Sequence, residues 1–409
     1  MQRNLLNILW LPLLPGFASM VYYISLVAGL PFIVPVLLVI AFGYFSYVWL
    51  GRHVAVEEAT SLTKAHIAWS YAILVAGVVI MTNKSYYIAP QYGYWDSWTI
   101  WNYHAKFLQH PEYRKYLFSV NPEMHADYPL YLSASIAFLR RLTGCDNFVV
   151  PYALGYCIQL LVPVSIFLAL HRKSLPIAAL VFFLIVTDDF YLERGLGQYA
   201  DVPLALLFLC AFICIEDAQK KPGAVLMAAA FIGCCMWVKN EGIMLAVIFI
   251  AFNIKTLFAA GRWKYFLAGI ALPLLTLLIF KAEAPSNDLL AAKGTKAIDL
   301  LSDPARHQIV WDYLAYNFNH YYIPLKIGLV IYAILCIAEK RWPARNLLAL
   351  LCCMLGYCIV YLLTPKSIDW HVHTSMDRLL MQLMPSFMYL MALRFSRLRF
   401  SLGDEVSKI

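Results

Sequence analysis

Asp96 stands between Trp95 and Trp98 in the stretch YGYWDSWTIWNYHAKFL, residues 92–108. Further along, the chain supplies the acids Asp127, Asp188, Asp189, Glu193, Asp201, Glu241, Asp369 and Asp377. It also supplies the cations Lys106, Arg194, Lys239, Lys281, Lys293, Lys296, Lys366 and Arg378, with imidazoles at His104, His125, His371 and His373. A carboxylate takes a proton from an attacking hydroxyl or amine, or holds a divalent cation. Lysine and arginine neutralise a phosphate and stabilise it as a leaving group. Together these side chains suit transfer of a group from a lipid phosphate to a polar acceptor.

The elements that must position them are membrane helices. Of 409 residues, 62% are hydrophobic and 14% charged, where soluble domains carry about 25% charged residues. Mean hydropathy is +0.67. The aromatic share, 15%, suits interfacial belts. The net charge of +8 lies mostly in short loops between apolar runs, so it sets orientation and implies no nucleic-acid partner. Nine of the ten cysteines fall inside apolar runs, where a thiol behaves as a small hydrophobe; Cys145 is the exception. They form neither a disulfide framework nor a metal motif. The N-terminus continues into apolar sequence without a small-residue cleavage site and reads as a retained first helix.

The fold class expected is an all-α polytopic membrane protein. About twelve spans fit the apolar runs, near 5–25, 30–50, 66–82, 149–170, 175–191, 198–216, 223–239, 242–258, 264–281, 322–338, 346–363 and 377–394. Lys and Arg then fall on one side, placing both termini in the cytoplasm. Two long loops, 83–148 and 282–321, lie on the opposite, non-cytoplasmic side. The segment 128–144 is expected as a helix on the outer interface, with Arg140 and Arg141 snorkelling. Ionisable groups near membrane depth are costly and face a pathway or a site; here they gather on the non-cytoplasmic face.

Several stretches resemble the GT-C superfamily of integral-membrane glycosyltransferases, which use polyprenyl-phosphate sugars. WDSWTIWNYHAKFL and HADYPLYLSASIAFLRRLTG resemble the first outer loop of bacterial relatives of protein mannosyltransferase and aminoarabinose transferase. GLGQYADVPLALLFL resembles their second acidic site, and WVKNEGIML and HVHTSMDRLLMQLMP their later landmarks. The resemblance implies a transmembrane catalytic core over 66–394, two extra N-terminal transmembrane helices over 1–65 and a cytoplasmic tail over 395–409. It implies an inverting transfer with Asp96 as base and Asp201 as a second essential acid, and a bacterial inner membrane with the site facing the periplasm. Lys239, Arg378, Lys366 and His373 are then expected at the donor phosphate. Trp98, Trp101, His104, Asp127, Tyr128 and Glu241 are expected around the sugar and acceptor. The partners implied are a polyprenyl-phosphate-linked sugar and a lipid, glycan or protein acceptor, with membrane lipids around the chain. Ser97 follows Asp96 where many mannosyltransferases carry an Asp-Glu pair.

Plainer roles compete at each position. Asp96 suits a helix cap, and Asp201, two residues before Pro203, suits an N-cap. Asp188 and Asp189 suit a corner that keeps a helix end in water. Trp95, Trp98 and Trp101 suit an interfacial belt. Lys239 suits a snorkelling lysine. His371 and His373 hold a divalent cation only if their segment is extended. Two other functions share the same residues: a secondary transporter or lipid flippase, and a polysaccharide polymerase or ligase.

Overall fold

The computed structural model describes residues 3–54, 62–88, 92–119, 124–218, 221–286 and 295–398. Lys293 and the side chain of Lys296 lie outside the described residues. Among those described, all regular structure is helical, with no strand. In chain order the helices are α1 (Arg3–Trp10), α2 (Leu13–Val27), α3 (Ile33–His53), α4 (Lys64–Ile88), α5 (Asn102–Gln109) and α6 (Tyr131–Thr143). Next come α7 (Val149–Leu170), α8 (Leu175–Val186), α9 (Asp189–Leu196), α10 (Asp201–Asp217), α11 (Gly223–Val238) and α12 (Glu241–Leu257). The last are α13 (Trp263–Glu283), α14 (Thr295–Ser302), α15 (Pro304–His320), α16 (Ile323–Ala338), α17 (Arg345–Leu363) and α18 (Ile368–Phe395).

Every apolar run read from the sequence carries a helix. By length and composition, 6 helices are apolar and long enough to cross a membrane, or up to 8 if each bent pair is one span. The bent pairs are α8 with α9, at 60°, and α15 with α16, at 98°. The chain is therefore an all-α protein with several membrane-spanning helices.

The core is centred on α10. Its residues from Asp201 to Ile215 are all buried, as an all-round apolar helix demands. It packs against α11, α18 and α7, and α11 packs in turn along α13. By contrast α3 and α4 expose long apolar faces, including Ile40, Tyr44, Trp69 and Val75, which suits contact with lipid tails.

Two expectations are corrected. Helix α6 is buried from Tyr131 to Phe138, packed against α2 and α5, and does not lie on an open interface. Arg140 is 5% exposed and faces Asp146 at 3.6 Å, so it does not snorkel, whereas Arg141 sits over the Phe32 ring at 4.4 Å. Helix α18 begins at Ile368, well before the expected 377, so Arg378 lies inside a helix and not at its start. The N-terminal helix α2 is part of the core. The Tyr22 hydroxyl donates to the Leu108 carbonyl at 2.6 Å, and the Trp237 indole donates to Ser19 Oγ at 3.0 Å.

Candidate functional site

Five segments distant in sequence meet at one end of the bundle. The first is the loop after α4. Gly93 has φ +74°, a left-handed conformation that glycine adopts without strain. A Cβ there would stand 2.2 Å from Ser97 Oγ and 2.9 Å from the Gly197 carbonyl. Its absence lets the Tyr94 amide donate to that carbonyl at 3.3 Å, docking the loop on the α9–α10 corner. The Tyr94 hydroxyl donates to Glu193 at 2.6 Å; burial and that carboxylate push its pKa up to about 12. The chain then makes a π-helical turn, Ser97–Trp101, closed by the Asn102 amide donating to the Ser97 carbonyl. Such turns are rare and cluster at functional sites.

Asp96 precedes that turn with helical backbone angles, and its side chain caps nothing. Its carboxylate instead accepts from Arg378 Nη1 on α18. The Arg378 guanidinium also lies over the Tyr199 ring at 4.7 Å and donates to the Thr374 carbonyl at 3.1 Å. Asp96 keeps 24% of its side chain exposed, so this pair faces the open side of the site.

Asp201 lies deeper, with its side chain 2% exposed. It is the first residue of α10, yet its carboxylate caps no backbone amide. Oδ1 accepts from Lys239 Nζ at 3.1 Å and from Gln382 Nε2 at 2.6 Å. Tyr357 donates to Gln382 Oε1 at 2.5 Å, fixing which end of the amide faces Asp201. Lys239 also pairs with Glu241 at 3.4 Å. Asp96 and Asp201 both act through space on Arg378, so the two acids and two cations form one electrostatic group. Helix α18 joins the halves, because Arg378 and Gln382 are four residues apart and share a face.

An aromatic stack lines this group. Trp101 and His125 stack against Tyr128, at 5.8 Å and 4.6 Å between ring centroids, and Lys239 Nζ stands 5.6 Å from the same ring. Asp127 accepts from Asn240 at 2.6 Å, while Lys281 bridges the Asp127 carbonyl and Asn240 Oδ1, each at 2.7 Å. Trp101 is therefore a buried wall of the site. Trp95 and Trp98 remain 64% and 49% exposed, edge to face at 4.7 Å. His104 is fully buried beside the Met124 backbone, and burial lowers its pKa to about 4, so it is neutral near pH 7.

Thus Asp96, Asp201, Lys239, Arg378, Glu241, Tyr128, Asp127 and Trp101 come together. Lys366 and His373 stay apart from them: both are exposed, Lys366 over Trp370 at 5.6 Å and His373 against Tyr313 at 5.9 Å. His371 and His373 both lie within α18, so the extended segment their metal pairing requires does not exist. Among the described residues no group of three or more His, Cys, Asp or Glu is arranged to hold a metal ion. Asp96, Asp201 and Glu241 each face a lysine or arginine, while the Asp127 carboxylate faces the Asn240 amide and His125. Asp188 has the plain role: it caps α9, accepting from the Phe190 and Tyr191 amides at 3.0 and 3.3 Å. Gln382, Tyr357 and Tyr199 were not singled out in the sequence; the available signal for Gln382 was its place one helical turn after Arg378.

No family model, curated protein or solved structure matches this chain.

Proposed function

We propose that the protein is a membrane glycosyltransferase of the GT-C type. It moves a sugar from a polyprenyl-phosphate donor to an acceptor at the non-cytoplasmic face of a bacterial inner membrane, through about twelve spans with both termini in the cytoplasm. The observation that carries the reading is the ion pair between Asp96 and Arg378, with the Asp201–Lys239 pair in the same electrostatic group. A base and a phosphate-binding cation side by side are what such a transfer requires.

In this reading the donor phosphate takes the place of Asp96 on Arg378, which frees the carboxylate as a base. An acceptor hydroxyl or amine attacks the anomeric carbon, and its proton passes to Asp96. The bond between that carbon and the phosphate oxygen breaks with inversion. The polyprenyl phosphate leaves with the electron pair, its charge held by Arg378 and Lys239. In this reading exposed Trp98 stacks on a sugar or acceptor, while Tyr128 and buried Trp101 line the site. The reading is tested by incubating purified protein with a radiolabelled polyprenyl-phosphate sugar and a membrane extract. Release of polyprenyl phosphate with a labelled product, abolished in D96N, supports it; an active D96N overturns it.

One observation favours a transporter instead: the two helix pairs bent by 60° and 98°, since broken helices frame many transporter sites. Counterflow of a lipid-linked sugar in liposomes, without any covalent product, would establish that alternative. A glycan polymerase or ligase shares the chemistry and differs in needing a donor with more than one sugar.

A further inference from the structure

A cavity lined by both polar and apolar side chains lies between α1 and α3. Helices α1 and α3 run antiparallel: the Trp10 indole donates to Ser46 Oγ at 2.9 Å, and its ring meets Tyr47 edge to face at 5.4 Å. This brings Arg3, at the start of α1, beside Arg52, near the end of α3. With Asn7, Trp10 and Tyr47 they line a cavity of about 340 Å³. Among the described residues neither guanidinium has a carboxylate partner. The end of α3 rests on the start of α11, where a Cβ on Gly223 would meet the His53 carbonyl at 3.1 Å. Lys239 is at the other end of α11, so cavity and candidate catalytic group occupy opposite ends of the bundle.

An apolar track leads away from the cavity. Leu37, Ile40, Tyr44 and Tyr47 follow one another at helical spacing along one face of α3, with exposures of 58%, 64%, 67% and 41%. From Leu37 to Tyr47 the track is about 15 Å long. Two exposed guanidiniums with no carboxylate partner among the described residues suit a phosphate oxyanion. A belt tryptophan and tyrosine suit the level where headgroup meets acyl chain. A track of large apolar side chains suits the chain itself.

We propose that this cavity binds the phosphodiester of an anionic phospholipid, with an acyl chain along the Tyr47–Leu37 face of α3. This site is independent of the donor site around Arg378 and does not rest on the glycosyltransferase reading. Basic pockets between membrane helices recognise anionic headgroups in this way.

The full chain in detergent is titrated with phosphatidylglycerol and with phosphatidylcholine, and bound lipid is read by native mass spectrometry. Phosphatidylglycerol is expected to bind about tenfold tighter, and R3Q/R52Q to remove most of that preference. Equal binding of the two lipids by the wild type overturns the proposal. Glycerol 3-phosphate, added as competitor, separates the sources: weak competition supports a lipid, and competition at the lipid's own concentration overturns the lipid assignment in favour of a soluble phosphate. A photoactivatable phosphatidylglycerol on the wild type needs no variant. Label on peptides holding Trp10 and Tyr44 supports the site, and label confined elsewhere overturns it.

Discussion

Asp96 and Arg378 are 282 residues apart in sequence and form an ion pair at the mouth of the site. The pair holds the acid close to the cation, and a competing anion on Arg378 would release it. In the proposed transfer, Asp96→Asn removes the base while keeping the shape. Sugar transfer should fall about 10²–10⁴-fold with the donor KM little changed. Arg378→Gln should cost a similar factor, together with a raised donor KM, because it removes charge from the leaving phosphate. Steady-state rates at varied donor concentration separate the two effects. A D96N enzyme with full kcat would remove Asp96 from the mechanism.

The deeper pair behaves differently because it is shut from water. Lys239→Met leaves Asp201 buried with Gln382 as its remaining hydrogen-bond donor, and removing one partner of a buried pair costs about 3–5 kcal/mol. The double change D201N/K239M removes the unpaired charge at Asp201, though it leaves Glu241 without its lysine, and should recover part of that loss. Thermal unfolding of the purified variants in one detergent checks it. A K239M protein as stable as wild type would show that water or another group already serves Asp201.

Much of this arrangement was legible in the sequence, for physical reasons. Apolar runs of membrane length announce helices wherever they occur, and a helix occupies each one. An acid between indoles, or at the start of an apolar helix, is costly enough to mark itself. What stayed hidden depended on depth and angle. Helix α6 reads as interfacial because its run is short and a crossing would invert the alternation of the loops that follow, but its residues Tyr131–Phe138 are buried against α2 and α5. The start of α18 at Ile368 was obscured by polar residues at 369–378, which broke the apolar run although the backbone continues as helix. Gln382 carries no charge and sits in an apolar stretch, so only its contact with Asp201 gives it a role.

His104 sets a pH limit on stability. Its pKa is lowered from 6.5 to about 4 by burial, so between those values the unfolded chain binds a proton that the folded chain refuses. Stability is therefore full above about pH 6.5 and falls as pH drops towards 4, by on the order of 3 kcal/mol in total. His104→Gln should flatten that part of the profile. Melting temperatures of both proteins from pH 8 to pH 4.5 provide the measurement; parallel curves would show that other groups set the acid limit.

The geometry of Lys239 and Glu241 depends on the tight corner between α11 and α12. A Cβ on Gly242 would lie 1.9 Å from the Cys235 carbonyl oxygen, a backbone atom that cannot swing aside. Gly242→Ala must therefore push the start of α12 away from α11, and with it Glu241 and the lysine it meets. A loss of about 1–3 kcal/mol follows from overpacking of this kind, and the proposed transfer activity should fall with it because Lys239 leaves its position at Asp201. Gly51→Ala is the control: a Cβ there meets nothing within 4 Å, and alanine favours the helix by about 1 kcal/mol. Melting temperatures should drop for G242A and hold or rise for G51A. A G242A protein with unchanged melting temperature and activity would mean that the corner relaxes without moving the site.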